Sequence, residues 1–394
     1  MEHVRINIPK WPIADEREVK AVREVLESDS WWRNTGTQVK LFEKEFAQYQ
    51  GCESGLAVSN GTVSIEIALK ALKIGRGDEV IVPDFTFYST VSAVLAVGAI
   101  PVLVDVSKDD FCIELKEIEK AITSKTKAII PVHIAGHMAD MYGINELAKK
   151  HNLYVIEDCA HAQGAELLSK RAGSFGILST FSFQNAKLMT AGEGGIILGN
   201  DQSIMEQAFL EANCGRAEGD TNYQHVLIGT NARLSEVQGA ILRVQLERFE
   251  KQKKLRQQNY QYISKKLQNI QGITLQKISA SVTEHSHYML MFYYDSSAFA
   301  GITRDEFVEY LKKCNIPANR GYKAIHEIPV FQVLDQDKWK MSDINNYKNS
   351  ILISENVVCL AHNILLKDER LLDQIINCII RFKKIARGEK EWKF

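Results

Sequence analysis

Between Phe42 and Asp201, short apolar runs alternate with longer stretches of helical spacing, and no other feature narrows the fold as much. Val80-Ile81-Val82, Val102–Val106, Ala128–Val132 and Tyr154–Ile156 read as strands with no face left for water. Val63–Leu72, Tyr88–Val97 and Ile144–Lys150 lie among them and read as helices. Such an alternation predicts a mostly parallel sheet covered on both faces, an α/β fold. Pro83, Pro101 and Pro131 fall at strand ends, where a missing N–H is tolerated. The 394 residues leave room for a second core. Amphipathic spacing predicts a helix over Ala14–Ser28, and Met205–Ala212 reads as another. A long helix from Leu234 to about Leu267 is placed as the link between a large domain, 1–249, and a smaller α+β domain, 250–394. The latter has a strand at His287–Tyr293 and helices at Thr303–Cys314 and Lys367–Ile380.

Within this frame one stretch carries chemistry. Ser179–Gly195 reads STFSFQNAKLMTAGEGG: an apolar strand delivers Lys187, glycines follow at Gly192, Gly194 and Gly195, and Ile196-Ile197-Leu198 forms a second strand. Desolvation lowers an amine's pKa and makes it nucleophilic toward a carbonyl. A surface lysine in a hairpin loop is the plainer alternative. Leu153–Ala165 reads LYVIEDCAHAQGA, an apolar strand ending in Glu157-Asp158. Side chains alternate across a strand, so only one of these acids faces a given cavity. Ligands of open α/β sheets gather beyond the carboxyl ends of the strands, where this pair sits. A lysine and an aspartate on neighbouring strand ends are the pattern of pyridoxal phosphate (PLP) enzymes. There the lysine holds the aldehyde, and the carboxylate keeps the ring nitrogen protonated.

Composition narrows the partners. Charge balances at −1, with 48 basic and 49 acidic residues, so nothing points to nucleic acid. No apolar run approaches the roughly 20 residues needed to span a membrane, and the N-terminus does not read as a signal peptide. The 7 cysteines are scattered and odd in number, as expected of reduced thiols in a cytoplasmic protein. His285-x-His287 and His133…His137 lack the further ligands of a metal centre. Neither a dinucleotide-binding glycine pattern nor a GxSxG elbow occurs.

Five motifs in order carry a resemblance: Asn60-Gly61-Thr62, Pro83-Asp84-Phe85-Thr86-Phe87, Glu157-Asp158-Cys159-Ala160-His161-Ala162, Ser182-Phe183 with Lys187, and Gly229-Thr230-Asn231-Ala232-Arg233. From about Trp11 to the C-terminus the chain resembles the DegT/DnrJ/EryC1/StrS family of PLP-dependent sugar aminotransferases, which have the aspartate aminotransferase-like (type I) fold. Trp31-Trp32-Arg33, the run FSFQNAKLMTAGEGG and Ser286-His287-Tyr288 most resemble 3-amino-5-hydroxybenzoate synthases and aminotransferases of cyclitol ketones.

The resemblance implies that Lys187 and Asp158 are catalytic. It implies that Gly61, Thr62 and Ser182 hold the phosphate, that Phe87 stacks on the ring, and that His161 reaches its hydroxyl. Asn231 is expected to reach across a homodimer to the partner's cofactor phosphate, so that each active site is shared. Arg216 and Arg233 are candidates for the donor's carboxylate, with a structural ion pair as the alternative for each. Trp32, Tyr322 and His326 are candidates for acceptor contacts. The family's Pro-Leu-His reads Ala324-Ile325-His326 here, which tilts the expectation from a nucleotide-sugar toward a free keto-sugar or cyclitol. The expected reaction moves an amino group from glutamate or glutamine to such a ketone in amino-sugar, antibiotic or surface-polysaccharide biosynthesis. Its rivals are a PLP lyase or dehydratase, including one resembling 3-amino-5-hydroxybenzoate synthase, and a catalytically silent partner of the same fold.

Overall fold

The computed structural model describes residues 5–335, 337–341 and 347–388; residues 1–4 and 389–394, which the two expected domains include, lie outside them. The main sheet has eight strands, in spatial order Ser54–Val58, Gly195–Gly199, Leu178–Ser182, Tyr154–Asp158, Thr126–Ile129, Glu79–Pro83, Ile100–Val104 and Lys340–Met341. From Leu178–Ser182 to the far edge every pairing is parallel, whereas Gly195–Gly199 runs antiparallel to both of its neighbours. The mostly parallel α/β sheet expected from the alternation is what forms. Its strands are apolar throughout because both faces are covered: Val80 and Val82 pack into one layer and Ile81 into the other.

Two strands begin earlier than their apolar runs suggest, at Ile100 rather than Val102 and at Thr126 rather than Ala128. Pro101 sits inside the first of these. The edge strand pairs with it only from Val102 onward, so the proline's missing N–H leaves no ladder bond broken. The helices stand near their expected positions, at Glu16–Glu27, Gly61–Ala71, Ser89–Ala96, Met141–His151 and Gln202–Ala212. Gln38–Gln50 adds one that the apolar pattern did not delimit.

The long helix runs unbroken over Glu236–Leu267. It starts two residues after Leu234 because Ser235 closes a capping box: the Ser235 side chain accepts from the Gln238 N–H, and the Gln238 side chain accepts from the Ser235 N–H. Beyond it a four-stranded antiparallel sheet (Ile273–Leu275, Met289–Tyr294, Val357–Ala361, Ala318–Asn319) packs with the helices Arg304–Lys313 and Glu369–Ala386 around a separate core. Ile6 joins that core from the N-terminus, while Ile325, Phe331, Trp339 and Tyr347 return to the large sheet. We therefore propose the division at Phe249 as a point along a shared helix, with both chain halves contributing to each body.

In the Trp-Trp-Arg triplet, Trp31 and Trp32 are exposed whereas Arg33 is buried. Its Nη2 lies 2.8 and 2.9 Å from the two Glu43 oxygens, and the Ala57 N–H donates to the same carboxylate at 2.7 Å. Among the described residues no helix is long and apolar enough to cross a membrane.

Candidate active site

Leu178–Ser182 lies beside Tyr154–Asp158, with Thr180 opposite Asp158, so the chain leaving the first strand passes the carboxyl end of the second. A turn at Gln184–Ala186 then delivers Lys187, whose N–H donates to the Gln184 carbonyl at 2.8 Å. The Lys187 side chain is 8% exposed, and its Nζ lies 4.7 Å from the centre of the Tyr288 ring. Burial pulls its pKa down to about 8, and the Asp158 charge offsets part of that fall. This is a dry amine facing a carboxylate, not a lysine on a hairpin tip.

Both Asp158 oxygens are fixed. Oδ2 accepts from the Thr90 hydroxyl at 2.8 Å, and Oδ1 accepts from the Ala160 N–H at 3.1 Å. Thr90 lies 3.0 Å from the Thr86 hydroxyl, and this ties the Phe85–Phe87 loop to the carboxylate. Glu157 points the other way, as strand alternation requires. It accepts from His133 Nε2 and from the N–H groups of Gly173, Phe175 and Gly176. Because the Ala139 N–H donates to His133 Nδ1, the proton of His133 is on Nε2, aimed at Glu157. The ligand atoms of His133, Glu157 and Cys159 lie within 4.8 Å of one another. These hydrogen bonds account for the grouping as a structural knot under the strand. His285 and His287 stack on each other at 4.4 Å and pack beside Tyr260.

His161 is buried between two tyrosines, 4.4 Å from the Tyr288 ring and 6.0 Å from Tyr322. The Ala135 N–H points at its Nδ1 at 3.3 Å, so its proton is on Nε2, 3.2 Å from the Tyr322 oxygen. Burial first, and the Lys187 charge second, push the imidazole well below its ordinary range and keep it neutral. The His161 proton is thus engaged by Tyr322, whose own hydroxyl hydrogen is left to point elsewhere. Phe87 is half exposed, with its ring 5.9 Å from that of Tyr322.

Asn60 caps the helix Gly61–Ala71, its side chain accepting from the Val63 N–H at 2.9 Å. The first N–H groups of a helix have no intrahelical partner, which makes this end an anion site. A Cβ on Gly61 would meet the Ser182 Cβ at 2.8 Å, and one on Gly195 would meet the Asn60 carbonyl at 2.4 Å. Glycine at both positions brings the helix end, the Ser182 hydroxyl and the last strand into one cradle. Gln163 fixes its floor, donating to the Ser182 carbonyl at 2.9 Å. The Thr62 hydroxyl is held by Ser89 at 2.7 Å. A buried amine, a fixed carboxylate, an aromatic wall and a helix-end cradle fit the aldehyde, ring nitrogen, ring face and phosphate of PLP.

The remaining candidates fall outside this cluster. Arg216 is engaged within its own loop by Asp220 at 2.9 Å and by the Tyr223 ring at 4.2 Å. Arg233 donates to Asn213 at 2.9 Å, with its guanidinium 5.7 Å from the exposed Trp32 ring. Asn231 is exposed. His326 lies 2.7 Å from the buried Asp84; burial would lower its pKa, but the Asp84 carboxylate carries it above the ordinary value. Thr90 and Tyr288 belong to the site and were not assigned a role from sequence. Thr90 sits four residues after Thr86, and Tyr288 stands within a motif quoted for the resemblance.

The DegT/DnrJ/EryC1/StrS aminotransferase family profile matches residues 12–380. A 3-amino-5-hydroxybenzoate synthase of Amycolatopsis mediterranei (strain S699) is 38% identical over 367 residues, covering 92% of this chain and 93% of that protein. An L-glutamine:scyllo-inosose aminotransferase of Streptomyces griseus is 29% identical over 410 residues, covering 97% and 95%. The crystal structure of a 3-amino-5-hydroxybenzoic acid synthase superposes with a TM-score of 0.91 at 36% identity, covering 97% of this chain and 100% of that one.

The depressed pKa of Lys187 has a measurable consequence. Between about pH 8 and the ordinary 10.5, the unfolded chain holds a proton that the folded amine has released. Stability therefore rises with pH across this window, by about 1.4 kcal/mol per unit. Denaturant unfolding of the cofactor-free protein and of Lys187→Met should show the wild type gaining on the variant across that window, with a constant difference below it. A difference independent of pH would show that this amine is solvated.

Proposed function

The chain belongs to the DegT/DnrJ/EryC1/StrS aminotransferase family, whose members are PLP-dependent transaminases, and we propose that it transfers the amino group of glutamine or glutamate to a keto-sugar or a cyclitol ketone without a nucleotide. The observation that carries this reading is the water-excluded Lys187 amine set against Asp158 at the end of a parallel strand. Similarity to the scyllo-inosose aminotransferase supports glutamine as donor and a cyclic polyol ketone as acceptor. The change to Ala324-Ile325-His326, with Ala324 and Ile325 fully buried, supports the absence of a nucleotide subsite. The lyase and silent-partner readings are not favoured.

When bound, PLP supplies an aldehyde for an amine to condense with and a ring that takes up electrons from the substrate carbon. The rest belongs to the protein. Lys187 Nζ is the amine; a pKa near 8 leaves it neutral often enough at physiological pH to act as nucleophile and then as base. Displaced by the donor, Nζ takes the proton that leaves the donor's α-carbon and gives it up later in the half-reaction. In the second half-reaction it returns a proton to the acceptor carbon. Asp158, whose orientation is fixed in advance by Thr90 and Ala160, would hold the ring nitrogen. Gly61, Thr62 and Ser182 would hold the phosphate, and Phe87 would pack against the ring. Tyr322 accepts the His161 Nε2–H and so keeps its own hydroxyl proton to donate to the ring oxygen or to the acceptor. Arg216, Arg233, Trp32 and His326 are proposed for the donor carboxylate and the acceptor.

We read the working form as a homodimer. Tyr223, Val226 and Ile228 are 72%, 67% and 98% exposed in the loop leading to Asn231, and Trp31 is 57% exposed. An apolar face of that kind, next to a polar side chain that reaches outward, suits a two-fold contact with shared sites.

A panel of keto-sugars, inososes and nucleotide-linked ketones, tested with glutamine and glutamate, should give the fastest turnover with glutamine and a cyclitol ketone. Preference for a nucleotide-linked acceptor would overturn the acceptor assignment. Asp158→Asn should still bind cofactor but turn over about a hundredfold more slowly or worse; an unchanged rate would remove Asp158 from the mechanism. Lys187→Ala and Asn231→Glu chains, each inactive alone, should regain about a quarter of wild-type activity when refolded together, as statistical pairing gives one intact site per mixed dimer. No recovery would mean that the sites are not shared.

A further inference from the structure

Two N–H groups of the turn that presents Lys187 are satisfied within it: Lys187 N–H donates to the Gln184 carbonyl at 2.8 Å, and Ala186 N–H to the Gln184 side chain at 2.8 Å. Its outward carbonyls are satisfied from far along the chain. Trp11 Nε1–H donates to the Asn185 carbonyl at 2.9 Å, and His362 Nε2–H donates to the Ala186 carbonyl at 3.2 Å. Gln184, Asn185 and Ala186 are themselves exposed, so without these donors water would solvate the turn.

The two donors form one unit. The Trp11 ring meets the His362 ring edge-on at 4.5 Å, and Asn363 ties the N-terminal segment down through the Pro9 carbonyl at 2.8 Å. His362 follows the strand Val357–Ala361 of the small sheet, so this clamp belongs to the small body while Lys187 belongs to the large one. On its other side His362 lies 6.1 Å from Tyr288, the ring beneath the Lys187 amine. Arg256, fully buried on the long helix, has no hydrogen-bond partner for Nε or Nη1 among the described residues and sits 5.7 Å from the Trp11 ring. Burial first, and the Arg256 charge second, hold the His362 imidazole neutral, and its bond to a carbonyl places its one proton on Nε2.

We propose that Trp11 and His362 are positioning residues that clamp the turn before Lys187 from the small domain, fixing the amine over Tyr288 and coupling its placement to the packing of the two bodies. Catalysis is sensitive to ångström-scale misplacement of a reacting group, so loosening this turn acts on turnover more than on binding. The inference rests on Lys187 being the cofactor lysine.

The test separates the two ideas. Hydrogen exchange of the Ala186 and Lys187 amides in cofactor-free protein reads the clamp without catalysis. His362→Phe keeps the ring and loses the donor. It should speed exchange at these amides about tenfold or more, with distant strands unchanged, and lower kcat about tenfold with the donor KM within about twofold. His362→Gln, which keeps an N–H at a similar reach, should restore both, and Trp11→Phe should repeat the exchange effect. Unchanged exchange at the turn in both Phe variants would overturn the clamp, as would uniform loss of protection throughout the protein. If the Phe variant of His362 does not fold, the Trp11→Phe exchange decides alone. A Lys187→Ala protein that still forms the cofactor's yellow band would instead sink the lysine assignment, whatever the exchange result.

Discussion

Keeping water away from one primary amine, without burying it so completely that it is lost as a base, is the constraint around which this molecule is built. Burial drags the Lys187 pKa down and Asp158 draws it part of the way back, leaving it near 8. Neither influence alone gives a useful group. A lysine in water stays protonated at neutral pH, and a dry amine with no carboxylate nearby would be a weak base and a poor proton carrier.

The sheet supplies both halves of that balance by simple geometry. Parallel strands bring their carboxyl ends to one edge, so Asp158 and the turn leading to Lys187 meet because Tyr154–Asp158 and Leu178–Ser182 are neighbours. Strand alternation then assigns the two adjacent acids to different tasks. Asp158 faces the amine, while Glu157, one residue earlier, fixes the Gly173–Gly176 backbone and His133 on the opposite side. The sharp reversal at Lys187 lets the antiparallel Gly195–Gly199 strand return beside the helix at Asn60-Gly61, where glycine alone allows the backbone to approach so closely. Amine, carboxylate and anion cradle thus follow from three chain crossings at one sheet edge.

Much of this was legible in the sequence, for identifiable reasons. Apolar strands covered on both sides announce themselves by lacking alternation; Asp158 stood out because it ends such a run, and Lys187 because it follows one closely. Strand starts at Ile100 and Thr126 were misjudged by two residues because Pro101 and the polar Thr126 interrupt the hydrophobic signal without interrupting the ladder. The buried pairing of Arg33 with Glu43 has no signal in the local sequence, because only the fold brings the two together. The tautomer of His161 was not legible, because it is set by the Ala135 N–H, and that contact depends on a strand-end turn no spacing rule encodes. Trp11 and His362 were invisible for the same reason: their bonds to the turn before Lys187 span 174 and 176 positions of the chain.

The central assertion is that the aldehyde of PLP is carried by Lys187 and by no other lysine. Borohydride reduction of the yellow holoprotein fixes the cofactor covalently to whichever lysine holds it, and peptide mass spectrometry then locates the added pyridoxyl phosphate mass. The mass is predicted on the peptide containing Lys187 alone; its appearance on any other lysine, with residue 187 unmodified, would contradict the assignment.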